Sequence, residues 1–426
     1  MLIDSISAIE VLDSRGMPTV GCKLVLYDGS YAFTSVPSGA STGKYEACEL
    51  RDGDKSRYFG KGVQQAVGHI NGELAQCLVG KSFATQADFD QFICNVDGSV
   101  GKKRLGANAL LALSQAYCKA CAMHDKLPLF LYLAQGKSVS LPVPFMNVIN
   151  GGAHAENALC VQECMIVPHG FTSFKDAIRA GAEVHHTLAQ VFNQKSITYS
   201  RGDEGGYAPD LHRIEDAFAC MLLAIEQAGY HHDQIAIAVD FAGSSFFENG
   251  LYTPDDKSYS QDKWVDYLTK LCDNYPIISL EDALDEDDWS TWQVLHDAIG
   301  DRVQLVGDDL FVTQVSRLSR GIKDQAANAV LIKPNQVGTV TETIDTIVTA
   351  QQHGFGTMVS HRSGETEDVF IADLCVAMGS GQIKTGPTRQ QDRVSKYNRL
   401  LWIESLLAEK ACYQSDALAR YTKMFV

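Results

Sequence analysis

Six short apolar runs in the second half of the chain each end in a polar, mostly charged residue. IAIAV ends at Asp240, IISL at Glu281, QLVG at Asp308, AVLI at Lys333, TMVS at His361 and GQI at Lys384. If these runs are strands of one barrel, their C-terminal ends converge on a single mouth. A lone Asp after a strand is usually a helix cap or turn residue. Three carboxylates on three consecutive strands are harder to dismiss, because without a cation they repel and push one another's pKa upward. All-oxygen ligation with neither His nor Cys suits Mg²⁺, which leaves positions open for substrate oxygens and water. Lys333 ends a strongly apolar strand beside this cluster. Desolvation and cationic neighbours would depress its pKa and make it a general base. Pro334 restricts Lys333 to extended backbone, so the strand aims it. A base beside a carboxylate-held metal fits abstraction of a proton next to a carboxylate, whose dianionic product needs concentrated positive charge. Departure of a β-hydroxyl then needs an acid on the other side. Glu204, in the glycine-flanked GDEGG (202–206), is the candidate, with a solvated acidic turn as the bland alternative.

The spacing of these residues says what must carry them. Successive positions lie 41, 27, 25, 28 and 23 residues apart, about the length of a strand, a helix and two loops. Near-continuous apolar strands in such a rhythm mean a parallel sheet covered by helices. Strand candidates at 144–149 and 161–167 bring the count to eight, which suits a closed β/α barrel. An open doubly wound sheet would mark its first turn with a Gly-rich phosphate loop. No GxGxxG follows any strand, and Gly80-Lys81-Ser82 has Ala75 where a P-loop needs Gly. Upstream, strand-like 19–27 and 30–36 flank a turn at Asp28-Gly29, and helical patterns follow over 62–78, 86–95 and 107–124. Strands first and helices after predict an α+β domain over 1–135 and a barrel domain over 136–426, joined through the polar stretch 134–143.

Composition bounds the function classes. The 426 residues are 45% hydrophobic and 21% charged, as in ordinary globular chains. No apolar run approaches the roughly 18 residues needed to cross a bilayer. The N-terminal segment lacks a basic and apolar leader, so the expected location is cytoplasmic, with no membrane insertion. A net charge of -16 repels nucleic acid and argues against direct binding of it. The 12 cysteines are scattered. Cys118 and Cys121 form a CxxC inside a helical pattern and read as core residues one turn apart.

The chemistry-bearing residues sit in stretches that closely resemble the enolase family, the phosphopyruvate hydratases of glycolysis, in a style that looks bacterial. The stretches are DSRGMPTV (13–20), SGASTG (38–43), LRDGDKSRYFGKGV (50–63), MNVINGGAHA (146–155), VQECMIVP (161–168) and GDEGG. EDALDEDDW (281–289), VGDDLFVT (306–313), LIKPNQVGT (331–339), SHRSGETED (360–368) and GQIKTG (381–386) follow in family order. The resemblance implies an enolase-type eight-stranded barrel with an irregular ββαα start before six βα units. It implies a lyase that dehydrates 2-phosphoglycerate reversibly to phosphoenolpyruvate with two Mg²⁺ per site, the second recruited with substrate. By that likeness Asp240, Glu281 and Asp308 hold the first ion, and Ser41 helps hold the second. Lys333 takes the C2 proton. Glu204 assists loss of the C3 hydroxide with Glu163 nearby. Lys384, Arg362 and Ser363 bind carboxylate and phosphate, and Gln162, His154 and His361 line the pocket.

Several residues depart from the family pattern. Gly21 and Trp402 replace a Glu and an Arg that commonly face each other across the family's dimer contact, so the implied homodimer would have an altered interface. Ser200-Arg201 precedes GDEGG, FAGSSFF follows Asp240, and Pro334 follows the base. These changes leave open a paralogue acting on a related phosphonate or carboxylated analogue. A non-catalytic binding or scaffold role is the alternative from a different class.

Overall fold

The computed structural model describes residues 1–39, 43–254, 257–413 and 415–422. The first strands, β1 (Ile3–Leu12), β2 (Pro18–Leu26) and β3 (Tyr31–Ser35), form an antiparallel meander. The turn between β2 and β3 passes through Gly29 at φ +86, a left-handed conformation that glycine adopts without strain. β2 buries Val20, Cys22, Leu24 and Leu26, alternate residues of one face. β1 escaped sequence reading because its apolar residues do not follow one face: Ile3 is buried while Ile9 and Leu12 are exposed.

One long helix lies on the sheet, and a second packs on that helix. α1 (Gln86–Asp97) opens with a capping box, in which Thr85 and Asp88 satisfy each other's backbone N–H. α2 (Ala107–His124) is buried nearly all round. An apolar helix of this kind belongs between layers, and α2 makes contacts to both β2 and β3. Its Cys118 and Cys121 are unpaired thiols in the core, and burial pushes Cys121 up to about 11. That environment suits packing rather than redox work.

The second body is a closed barrel. Its strands are β4 (Val143–Asn150), β5 (Glu163–Pro168), β6 (Ile235–Asp240), β7 (Ile277–Glu281), β8 (Gln304–Gly307), β9 (Ala329–Ile332), β10 (Gly356–Ser360) and β11 (Gly381–Lys384). β11 pairs with β4 and shuts the ring. β5 runs antiparallel to both β4 and β6; the other neighbours are parallel. After β5 come α3 (Phe174–Gln194) and α4 (Ile214–Gln227), which completes a ββαα start. Six βα units follow, with α5 (Gln261–Asn274), α6 (Trp289–Ile299), α7 (Val315–Asp324), α8 (Val340–Gln352), α9 (Phe370–Ala377) and α10 (Gln391–Leu407). The barrel strands are buried almost throughout, as strands covered on both faces must be. Among the described residues, no helix is long and apolar enough to cross a membrane.

Each body has its own apolar cluster. Polar ties join them. Lys119 on α2 pairs with Asp368 of the barrel at 2.7 Å. Asp90 on α1 accepts from the Thr341 backbone N–H at the start of α8, at 2.9 Å. The first of these ties holds the segment just beyond His361, Arg362 and Ser363 against the sheet side of the molecule.

Candidate active site

The strand ends deliver the polar residues to one mouth. Asp240, Glu281 and Lys384 are the last residues of β6, β7 and β11, while Asp308, Lys333 and His361 stand one position beyond β8, β9 and β10. Parallel register sets Asp240 beside Glu281 and Ser360 beside Lys384. The antiparallel β5 contributes its first residue, Glu163, opposite Asp240. Reversed direction is what brings an N-terminal residue to the same end of the barrel as the others' C-termini. His154, Gln162, Glu163, Glu204, Lys333, His361, Arg362, Ser363 and Lys384 line one small cavity.

Inside it the charges interlock. Lys384 Nζ lies 3.1 Å from Asp240 Oδ2, 2.7 Å from Glu281 Oε1 and 3.2 Å from Glu163 Oε2. Lys333 Nζ donates to Asp308 Oδ2, and Gln336 Nε2 donates to Asp308 Oδ1 at 2.9 Å. Gln162 Nε2 donates to Asp240 Oδ2 at 3.2 Å. Glu204 Oε2 accepts from Asn147 Nδ2 at 2.7 Å. Its other oxygen faces His154 Nδ1 at 3.6 Å and His361 Nε2 at 3.5 Å. Arg362 is held by Glu46 at 3.0 Å and by Asn335 Oδ1 at 3.1 Å, so a residue of the first domain aims a cation into the barrel mouth.

Burial and neighbours divide the acids. Glu163 is pushed well above the usual carboxylate range, by burial first and by Glu204 second. Glu204 is held well below that range in spite of burial, by His361, His154 and the cations behind them. Two carboxyls with opposed tendencies are the arrangement that lets one donate a proton while the other stays charged. Lys333 departs from the expectation of a depressed amine. Burial pulls it down, but direct contact with Asp308 outweighs burial and leaves it raised.

The acidic residues offer oxygen donors to a hard cation. Glu281 Oε2 is buried without a hydrogen-bond partner, and Glu281 is pushed well above its ordinary range by burial and by Asp240. An orphaned carboxylate oxygen among oxygen donors fits a divalent ion such as Mg²⁺. Asp240, Glu281 and Asp308 do not form one tight trio here, because Lys384 lies between the first two and Lys333 engages the third. Among the described residues, the sets of three whose ligand atoms come within 4.8 Å of one another are His154, Glu163 and Glu204, and Asp282, Asp308 and Asp309.

Several of these residues carry no signal of their own in the sequence. Asp282 accepts from the Asp308 and Asp309 backbone N–H groups at 2.9 and 2.8 Å, and so shapes the turn that presents Asp308. It stands next to Glu281 in EDALDEDDW, where the run of acids hid it. Asn147, Glu46 and Gln336 reach the site from elements whose direction the sequence did not reveal. Ser41 lies outside the described residues. Gly21 is packed under Phe33: an added Cβ there would lie 2.9 Å from Phe33 Cζ and 3.0 Å from Val11 Cγ1. Trp402, on α10, is 61% exposed. Arg201 stacks on Tyr207 at 3.8 Å and donates to the Gly205 carbonyl at 3.1 Å, touching the loop that carries Glu204.

Comparison with protein families gives two matches. The family model described as "Enolase, N-terminal domain" matches residues 3–133, and "Enolase, C-terminal TIM barrel domain" matches residues 138–422.

Proposed function

Because the chain belongs to the enolase family, whose domains mark it as a lyase that uses a divalent metal, we propose that it interconverts 2-phosphoglycerate and phosphoenolpyruvate with Mg²⁺. The observation that carries this reading is one cavity lined both by Lys333 and by the unlike acid pair Glu163 and Glu204. Lys333 takes the C2 proton. Glu204 would face the C3 hydroxyl and assist its departure, and Glu163, the carboxyl that burial keeps protonated, would supply the proton with which the hydroxyl leaves as water. Lys384, Arg362 and Ser363 hold the carboxylate and phosphate, while Gln162, His154 and His361 complete the wall and exclude water. Asp240, Glu281 and Asp308 would hold the first ion, and Ser41 would help hold the second. Bound there, the metal would supply concentrated positive charge for the substrate carboxylate, and Asp308, as one of its ligands, would hold Lys333 less tightly.

Absorbance of the enol product tests the reaction. Efficient turnover of 2-phosphoglycerate, with kcat/KM above about 10⁴ M⁻¹s⁻¹, is expected in Mg²⁺ and its loss in EDTA. Metal binding to the folded state also raises Tm, and Asp240→Asn removes most of that rise. Full activity in chelator would sink the proposal.

One observation favours a second reading. The altered Arg201 touches the loop of Glu204, so a paralogue acting on a phosphonate or carboxylated analogue is the alternative substrate class. Side-by-side kcat/KM for 2-phosphoglycerate and its phosphonate analogues decides between them.

For assembly we propose a homodimer whose contact is apolar near Trp402 and Gly21. Its support is the exposure of Trp402, Leu406, Ile9, Leu12 and Phe33. Multi-angle light scattering is expected to give twice the chain mass, and Trp402→Asp to shift it toward monomer. A wild-type monomer at micromolar concentration contradicts this.

A further inference from the structure

α10 packs against the segment that follows β10. It brings two basic residues into the interior, Arg393 and Lys396, both with no exposed surface. Burying a guanidinium is costly unless its donors are satisfied, so what Arg393 touches matters. One of its terminal nitrogens, Nη1, lies 2.6 Å from His361 Nδ1 and also donates to the Arg362 carbonyl. The other, Nη2, donates to the Ser363 carbonyl at 2.6 Å, and Nε makes an ion pair with Asp392 Oδ2 at 2.8 Å without the alignment of a hydrogen bond. A single side chain thus grips three consecutive residues that all reach the cavity. Gly386 makes room for the contact. A Cβ there would lie 3.1 Å from Arg393 Cδ and 3.3 Å from His361 Cε1, and its φ of +80 is one that glycine adopts freely.

The chemistry of this contact has one sense only. A guanidinium donates and never accepts, and it keeps its protons at any working pH. His361 Nδ1 must therefore be the acceptor. A neutral imidazole that accepts at Nδ1 carries its proton on Nε2. That atom is buried, has no hydrogen-bond partner within the cavity wall, and faces Glu204 Oε1 at 3.5 Å.

We propose that Arg393 is a positioning residue that locks His361 in the Nε2–H tautomer. His361 then acts in the cavity as a hydrogen-bond donor toward Glu204 and the substrate oxygen beside it, and takes no proton from either. The kinetic consequence rests on the dehydration proposed above; the tautomer itself does not.

The test uses the full chain labelled with ¹⁵N-histidine. Two-bond ¹H–¹⁵N correlation spectra distinguish the two neutral tautomers and the imidazolium, and the spectrum of His361→Asn identifies which of the 12 histidines is His361. The wild-type protein at neutral pH is expected to show a single Nε2–H pattern for this residue. An Nδ1–H pattern or an imidazolium overturns the proposal without reference to any reaction. Arg393→Gln can donate or accept, so it is expected to give a mixture of tautomers. Its kcat should fall by about 10- to 100-fold while KM moves by less than about threefold, the mark of an interaction made mainly in the transition state. Arg393→Lys, which can only donate, should restore the Nε2–H pattern and most of the activity. A folded Arg393→Gln that keeps one tautomer and full kcat defeats the idea.

Discussion

Lys333→Ala is expected to lower kcat for 2-phosphoglycerate by about 10⁴-fold, the upper range for loss of a general base. The expectation follows from the weakness of the carbon acid and from the position of Lys333, at the end of β9 and against Asp308. Removing the amine also leaves Asp308 Oδ2 without its ion-pair partner, so lost activity alone would not separate proton transfer from electrostatics. Lys333→Arg makes that separation. It keeps the charge and can still engage Asp308, but a guanidinium does not give up its proton at neutral pH. We expect Lys333→Arg to be as inactive as the alanine variant. Exchange of the C2 proton with solvent deuterium, followed by NMR, should vanish in both. Surviving exchange in either variant would remove Lys333 from its assigned role.

Glu204→Gln carries the second large effect, a fall of about 10²- to 10³-fold in dehydration. The shape of the side chain is kept, and with it the contact to Asn147 Nδ2 is available to the amide oxygen. What is lost is the negative charge that His154 and His361 face across 3.6 and 3.5 Å. Because Glu204 serves the hydroxyl and Lys333 the C2 proton, exchange of that proton should persist in Glu204→Gln while product formation collapses. This pattern differs from that of the lysine variants, and the pair of results together assigns the two halves of the reaction. Equal loss of exchange and dehydration in Glu204→Gln would mean that the two sides of the cavity do not act separately.

Much of this is legible in the sequence itself. A strand that is buried on both faces must be apolar throughout, so its polar end stands out, and six such ends recur at the spacing of strand–helix units. That is local information, and it carried the eight-stranded barrel and the polar residues at its mouth. The strand-then-helix order of the first part was readable from local patterns too. The ββαα opening was not, because the direction of β5 depends on which neighbours it pairs with across the sheet. It came only from likeness to a family.

By itself, then, the chain determined which residue types stand at the strand ends and hence what kind of chemistry they could support. Only the tertiary structure decided which partner each one has. Lys384 rather than Lys333 lies between Asp240 and Glu281, Asp308 instead holds Lys333 and keeps its pKa raised, and Arg393 approaches His361 from a helix 32 residues further along. The physical reason is range. Burial and periodicity are written into neighbouring residues, whereas an ion pair or a tautomer is set by whatever atom arrives within about 3 Å, from anywhere in the chain.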